Sequence, residues 1–293
     1  MERREWGDPA LLREMSVSDV IGEYKKMRKV ERSKVTSFNH FQASIGDLTL
    51  DRLSVQEIID HARNRVRMYE SKPATLGLEL THLSNLLSFA KTYLRLPVKL
   101  EAVKEARTIL KDDGVVGKAE ERDRRPKIDE LKRLEDYWTS HRYVTRANIP
   151  MWDVVSFAIS TAMRLSEITR LRWDDIIHDD KTIVIRDRKH PTKKIGNHQV
   201  VPLLFDSYEI ISRQPHVSER IFPYDPSSIS TAFTRKCARL RIYDLRFHDL
   251  RHEGASRLFE AGYQIHEVAL VTGHRDWGQL RRYTQLKAKD LHR

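Results

Sequence analysis

The sequence contains a single cysteine, Cys237, among its 293 residues. An intrachain disulfide is therefore impossible, and so is a zinc finger built on cysteine ligands. The chain also has no uncharged apolar run near the roughly 18 residues that a membrane-spanning helix needs. Its first eight residues are rich in charge and are not followed by the apolar segment of a secretory signal. We therefore expect a cytoplasmic protein without a membrane partner.

Acidic residues are fewer than basic ones. The 53 Lys and Arg exceed the 42 Asp and Glu, which gives a formal net charge of +11. Residues 1–140 carry 27 − 24 = +3, and residues 141–293 carry 26 − 18 = +8. Such an excess favours a polyanionic partner, and nucleic acid is the common one. The second half of the chain is the more electropositive.

The length predicts about two domains, taking about 150 residues for each. After an N-terminal extension, 1–16, a helical domain is predicted over 17–110. The stretch 111–126 is highly charged and contains two glycines and Pro126, which is typical of a linker. A mixed domain follows over 127–293.

Residue patterns predict the elements of the first domain. Ser54-Val-Gln-Glu57 is a capping box that opens a helix ending near Glu70. A second helix carries apolar residues at spacings of 4, 3, 4, 3 and 4, namely Leu76, Leu80, Leu83, Leu87, Ala90 and Leu94.

The second domain has a mixed pattern. Runs rich in β-branched residues predict strands at 181–186 and 199–204. Helices are predicted at 127–139, 151–163, 166–171, 227–240, 248–261, 265–272 and 277–286. The predicted fold class is mainly α with a small antiparallel β-sheet.

Basic residues lie around the helices of the first domain: Lys25, Lys26, Arg28, Lys29, Arg63, Arg65 and Arg67. Each alone is typical of a solvated face, but together they could follow a phosphate backbone. A second basic group lies in the loop 187–198, between the predicted strands. The residues predicted to bind DNA are Lys25, Lys26, Lys29, Arg63, Arg67, Lys193 and Lys194.

Arginine, histidine and tyrosine recur in a pattern that suits chemistry on a phosphodiester. Arg164 stands at a helix junction in apolar surroundings, and His248 and Arg251 share a helix face at a spacing of three. His274 follows, and Tyr283 comes nine residues later. Arginine forks match phosphate oxygens and keep their proton. A tyrosine can act as nucleophile when a neighbour takes its proton.

The ordered motifs resemble those of the tyrosine recombinase (phage integrase) family. They are Thr161-Ala-Met-Arg164, Ser166-Glu167, the basic inter-strand loop, His248-Asp-Leu-Arg-His252, Gly273-His274 and Tyr283. Similarity to family members of the shufflon and integrase type is greatest in two segments, RFHDLRHEGASRLFEAG and VTGHRDWGQLRRYTQL. The resemblance covers the whole second domain, and the helical first domain resembles the family's core-binding domain more loosely. At Ala162 many members have glycine.

The resemblance implies a two-domain DNA clamp that cuts and rejoins strands without metal, ATP or another cofactor. Arg164 and Arg251 would clamp the scissile phosphate, His248 would assist proton transfer, and His274 would bind a phosphate oxygen. Tyr283 would attack the phosphate and form a 3′-phosphotyrosine.

The family's hairpin lysine would be Lys189, which is favoured over Lys193 and Lys194. Glu167 and Asp249 would hold the reacting groups in place. The implied partner is double-stranded DNA with specific recombination sites. Four protomers would assemble as a homotetramer on two such sites, with half of them active at a time. The protein would be nucleoid-associated, and DNA-bending accessory proteins could assist it.

Three alternatives stay open. His248 and His252 stand at i and i+4 beside Asp249, which resembles half of a zinc hydrolase site, although Arg251 would repel a cation. A DNA-binding regulator or excision accessory would bind without chemistry. A monomeric type IB topoisomerase would share the phosphotyrosine chemistry.

Overall fold

The computed structural model describes residues 10–119, 122–140, 149–188 and 195–283. The chain divides into two compact units, 1–121 and 122–293. Within the range predicted as a linker, Val116 is buried in the core of the first unit, and Arg122 begins the second. Among the described residues, no helix is both long and apolar enough to cross a membrane.

The described part of the first unit is helical. Its helices are α1 (Leu11–Glu14), α2 (Val17–Met27), α3 (Arg32–Ile45), α4 (Val55–Tyr69), α5 (Pro73–Tyr93) and α6 (Glu101–Asp112). Helix α4 begins where the sequence predicts, because the Ser54 hydroxyl accepts a hydrogen bond from the Glu57 amide. The apolar stripe of α5 is buried from Leu76 to Ala90 within the core, as predicted, and Leu94 follows the end of the helix.

The second unit adds a small sheet to its helices. Its elements are α7 (Ile128–Ser140), α8 (Met151–Thr161), α9 (Leu165–Ile168), β1 (Ile176–Ile177), β2 (Thr182–Ile185), β3 (Gln199–Pro202), α10 (Ser207–Ser212), α11 (Pro226–Arg239), α12 (Asp249–Glu260) and α13 (Ile265–Thr272). The strands form an antiparallel sheet in the order β1-β2-β3, with Ile183 opposite Val201. The predicted fold class is confirmed.

Several short elements differ from the sequence prediction. Strand β1 and helix α10 were not predicted, because elements this short show no clear hydrophobic period. An α-helix was predicted over 277–286. As far as the structure describes this segment, it is a 3₁₀ helix from Trp277 to Tyr283, and Gly278 near its start disfavours a regular α-helix there.

Helices α8 and α12 pack closely at Gly254. A Cβ atom at this position would lie 2.3 Å from the backbone oxygen of Ile159 and 3.0 Å from the Cβ of Ala162. Real side chains do not approach a backbone oxygen so closely, so α12 needs glycine here. The contact matters for function because α12 carries Arg251, and α8 leads directly into Arg164.

We expect Gly254→Ala to lower the free energy of unfolding by about 1–3 kcal/mol, because the added methyl group must push two packed helices apart. Urea unfolding followed by circular dichroism measures the change. Gly22→Ala is the matched control: Gly22 is also helical, and nothing lies within 4 Å of a Cβ atom placed there. The control should be neutral or stabilising by up to about 1 kcal/mol. Equal behaviour of the two variants would contradict the role given to close packing.

Candidate active site

Arg251 is a buried arginine held by the ends of two helices. Its side chain comes from α12, and the residue is 4% exposed. One terminal nitrogen, Nη1, donates to the carbonyl of Ala162 at 2.7 Å, and Nη2 donates to the carbonyl of Thr272 at 2.7 Å. These carbonyls lie at the C-terminal ends of α8 and α13, where the helix dipole favours a cation. Arg251 therefore joins three helices at one point.

Both helices end in the left-handed conformation. Ala162 has φ 49° and ψ 26° at the end of α8, and Gly273 has φ 71° at the end of α13. This conformation directs the chain out of the helix and leaves the last carbonyls available to a donor. Glycine adopts it freely, whereas alanine does so at a cost of about 1–2 kcal/mol. Glycine would therefore adopt the backbone conformation of Ala162 at a lower cost in free energy.

Arg164 stands at the start of α9 and is bound by Glu167. Its backbone amide donates to one carboxylate oxygen of Glu167 at 3.0 Å, and its Nη1 donates to the other at 2.7 Å. The Glu167 side chain is 1% exposed, whereas that of Arg164 is 23% exposed. The carboxylate thus fixes both the backbone and the head group of Arg164, and part of the Arg164 side chain still faces solvent.

Arg188 is a second buried arginine, and its place in the site was not predicted from the sequence. It is 1% exposed, and its Nη2 donates to the carbonyl of Val271 at 2.7 Å. Its Nε lies 3.6 Å from the carboxylate of Glu167. Gly273 leaves room for it, since a Cβ atom there would lie 2.6 Å from the Arg188 guanidinium carbon. The glycine before His274 is the one signal of this contact in the sequence.

Charge in the site centres on Glu167. Burial raises the pKa of this carboxylate, but the positive charges of Arg188, Arg164 and Arg251 outweigh it and hold the pKa below its ordinary value. Glu167 is therefore ionised, and three arginines act on it at once. A group in this position holds cations in place and is not free to exchange protons near neutral pH.

His274 is neutral, and its tautomer follows from its neighbours. The Thr272 hydroxyl donates to the carbonyl of Val268 at 2.6 Å, so its oxygen must accept from His274 Nδ1, which lies 2.7 Å away. The other ring nitrogen, Nε2, lies 3.3 Å from Arg251 Nη2 and accepts from it. Burial, reinforced by the charges of Arg251 and Arg164, lowers the pKa of His274 to about 3.

Tyr283 lies against α12, close to His252 on that helix, and His248 stands directly before the helix. Its phenolic oxygen is hydrogen-bonded to Nδ1 of His252. The ring of His248 stands almost perpendicular to that of His252, with 5.4 Å between the centroids. From the sequence, proton transfer was predicted for His248, and His252 was considered only as a zinc ligand. Among the described residues, no group of three metal-ligating side chains occurs to support that zinc alternative.

Asp249 contacts the segment that enters the second unit. Its carboxylate, 1% exposed, accepts from Nε and Nη2 of Arg122 at 2.9 and 2.8 Å. It also accepts from the backbone amide of Arg246 at 2.8 Å. Arg125 makes a parallel bond to Glu253, further along α12, at 2.8 Å. Asp249 therefore fixes the start of α12 through Arg122 and Arg246, and Glu253 adds a second attachment through Arg125.

The predicted DNA-binding residues that the structure describes are exposed: Lys25, Lys26, Lys29, Arg63 and Arg67. Two of them pair with acidic neighbours at the surface. Lys26 lies 2.7 Å from the Glu23 carboxylate, and Arg63 lies 2.8 Å from that of Asp113. Exposed pairs of this kind are weak and can exchange their partner for a phosphate.

Other basic residues named in the sequence analysis are not among these exposed cations of the described structure. Arg65, which the sequence placed among the solvated cations of the first domain, is instead buried and paired with Glu79 at 2.9 Å. Its position on the inner face of α4 explains the difference. The loop lysines Lys189, Lys193 and Lys194 lie outside the described residues.

Comparison with known proteins identifies the family of this chain. Residues 127–290 match the phage integrase family. The chain is 32% identical to a shufflon-specific DNA recombinase of Escherichia coli, over 96% of this chain and 71% of that protein. It is 28% identical to the integrase of Salmonella phage P22, over 76% of this chain and 58% of that protein.

Solved structures show the same fold at low identity. A lambda integrase dimer bound to a core site superposes with a TM-score of 0.70 at 17% identity, over 92% of this chain and 77% of that one. A lambda integrase tetramer bound to a Holliday junction gives 0.70 at 18% identity, over 94% and 80%. The family match and the relative that spans almost the whole chain together show that this chain belongs to the phage integrase family and is a tyrosine-type site-specific recombinase.

Proposed function

We propose that this recombinase exchanges DNA strands through a 3′-phosphotyrosine formed on Tyr283. The phenolic oxygen bonds to the scissile phosphorus, and the bond from phosphorus to the 5′ oxygen breaks. The 5′ oxygen leaves with a proton from the hairpin lysine, for which Lys189 is favoured over Lys193 and Lys194. The 5′-hydroxyl of a partner strand then attacks the phosphotyrosine and releases the phenol. One phosphoester replaces another, so the exchange needs neither ATP nor a metal.

The observation that carries this proposal is the surplus of positive charge around Glu167. Arg164, Arg188 and Arg251 act on this single buried carboxylate. Burial lowers the pKa of Arg251, and the nearby charge of Arg164 lowers it further. An anion bound beside Arg164 would offset this repulsion between the two arginines. A phosphodiester is such an anion, and its transition state gains further charge for the fixed donors to stabilise.

The proposal also covers the DNA substrate and the assembly of protomers on it. The substrate is double-stranded DNA carrying specific recombination sites, and the helical first unit would bind it as a core-binding domain. Its contacts to phosphates would come from Lys25, Lys26, Lys29, Arg63 and Arg67. The tetramer on a Holliday junction is a property of lambda integrase. It supports a homotetramer on two sites here. The proposal adds that half of the protomers are active at a time and that DNA-bending proteins assist.

Tyr283→Phe tests the nucleophile. The variant should bind DNA as the wild type does but form no covalent adduct, because the ring remains and only the attacking oxygen is lost. We would incubate both proteins, in EDTA, with nicked suicide substrates made from DNA flanking the gene. Adducts are separated on denaturing gels and mapped by mass spectrometry.

Three results would go against the proposal. An adduct with the phenylalanine variant would exclude Tyr283 as nucleophile. Loss of the wild-type adduct in EDTA would favour the zinc alternative. Salt-sensitive binding by the wild type with no adduct on the cleavable site would favour a DNA-binding regulator.

Arg164→Lys tests the phosphate clamp. A lysine keeps the charge but loses the two-pronged geometry that matches phosphate oxygens. We expect the rate of adduct formation to fall about 10²- to 10³-fold, with DNA affinity little changed. Arg170→Lys is the matched control, because Arg170 is exposed and its Nε donates to the carbonyl of Ser166, one turn earlier. Near-normal rates in Arg164→Lys would refute the clamp.

The neutral state of His274 predicts how stability responds to acid. Unfolded histidine has a pKa of about 6.5, and the folded value is about 3. Above a pH of about 6.5 His274 is neutral in both states. Between the two pKa values the unfolded chain takes up a proton that the folded chain does not, so stability falls as the pH is lowered. His274→Gln should therefore lose less stability than the wild type between about pH 7 and pH 4.

Urea unfolding at a series of pH values measures this effect. The control is His266→Gln, which removes an exposed histidine from the same helix, α13. That variant should follow the wild-type pH dependence. A His274→Gln curve parallel to the wild type would show that His274 is not held neutral.

A further inference from the structure

We propose that His252 is the base that takes the phenolic proton of Tyr283 during DNA cleavage. This inference rests on the proposed role of Tyr283 as nucleophile and adds a residue to it. His252 follows Arg251 directly, so one turn of α12 presents a phosphate-binding group and a proton acceptor to the same reaction.

The contact itself is direct. The phenolic oxygen of Tyr283 is hydrogen-bonded to Nδ1 of His252, and the two rings lie 5.9 Å apart between centroids. The Tyr283 ring also stacks on Phe259, at 21° and 6.2 Å. His252 and Phe259 are about two helical turns apart, so they share one face of α12. The phenol is thus held by its ring and by its oxygen.

The direction of this hydrogen bond has a chemical consequence. The proposed step requires the phenol to donate its O–H in this hydrogen bond, so that Nδ1 of His252 carries the lone pair and Nε2 the hydrogen. His252 is then the opposite tautomer to His274, whose Nδ1 carries the hydrogen. A histidine with an unprotonated nitrogen on the nucleophile is already in position to accept its proton.

The surroundings of His252 define what else can titrate with it. His248, the residue directly before α12, faces it with the ring edge-on at 5.4 Å between centroids. Tyr283 faces it from the 3₁₀ helix. His274 and Arg251 lie near enough for charges to matter, since His252 contributes to the lowered pKa of His274, and Tyr283 acts on the pKa of Arg251.

The proposed step balances. As the phenolic oxygen bonds to phosphorus, its proton moves to His252 Nδ1, and the bond from phosphorus to the 5′ oxygen breaks. The departing oxygen takes a separate proton from the hairpin lysine. On rejoining, the 5′-hydroxyl attacks phosphorus and gives its proton to the hairpin lysine. The bond from phosphorus to the phenolic oxygen breaks, and His252 returns its proton to the phenol. His252 therefore ends each cycle as it began.

His252→Asn separates proton transfer from positioning. The asparagine amide oxygen lies about as far along the side chain as Nδ1, so it can accept the phenolic hydrogen bond but cannot take the proton. We expect adduct formation on the suicide substrate to slow about 10²- to 10⁴-fold, with DNA affinity unchanged. The rate of the variant should climb with pH towards the ordinary phenol pKa of about 10, whereas the wild-type rate levels off at lower pH. His266→Asn is the control and should behave as the wild type.

A second substrate locates the defect. When sulfur replaces the bridging 5′ oxygen, the leaving group departs as a thiolate and needs no proton. The slow rate of His252→Asn should persist on this DNA, because its defect lies at the nucleophile. Recovery of the wild-type rate would place His252 at the leaving group and overturn the proposal. A rate on ordinary DNA within about threefold of the wild type, far short of the loss expected for a missing base, would also overturn it.

One measurement needs no variant. Nitrogen-15 NMR of the wild-type histidine side chains should show His252 as the tautomer with hydrogen on Nε2 at neutral pH. Hydrogen on Nδ1 would overturn the proposal even if the variant folded poorly. The proposed function fails separately, when Tyr283→Phe still forms an adduct. A wild-type adduct on Tyr283 with a normal His252→Asn rate would defeat only the inference about His252.

Discussion

The burial of the Arg251 guanidinium is the constraint on which the rest of the second unit depends. A charge taken out of water costs several kcal/mol unless it is fully hydrogen-bonded. Here the carbonyls of Ala162 and Thr272 supply two of those bonds. The chain must therefore end α8 and α13 at the same place and hold α12 between them. The close contact at Gly254 and the left-handed residues at both helix ends are what make this meeting possible.

The same arrangement explains why the site is built from backbone as much as from side chains. Arg188 and Arg251 both bond to carbonyls of α13, from Leu270 to Thr272. The single carboxylate of Glu167 supplies opposite charge to all three arginines. Carbonyl oxygens hold a guanidinium in place without cancelling its charge. The arginines thus stay fixed and still attract an anion, which a full set of carboxylate partners would prevent.

Much of the fold could be predicted from the sequence, because long elements carry a clear period. The α5 stripe from Leu76 to Ala90 is an example. Short elements such as β1 have too few residues to show one. Within the site, the resemblance to the family pointed to Arg164 and Arg251. Arg188 lies in the basic loop between the predicted strands, and that position favoured a solvent-exposed side chain. Its burial depends on Gly273, far along the chain, and local patterns do not report such distant contacts. Charge counting has a similar limit, because it does not distinguish a surface lysine from an arginine in the interior.

The bonds from Arg122 to Asp249 and from Arg125 to Glu253 have a mechanical consequence. They fasten the first residues of the second unit along α12 at two points about one helical turn apart. The first residues of this unit are consequently tied directly to the helix that carries Arg251. Any movement of residues 122–125 therefore pulls directly on α12, and with it on Arg251, through these side-chain contacts.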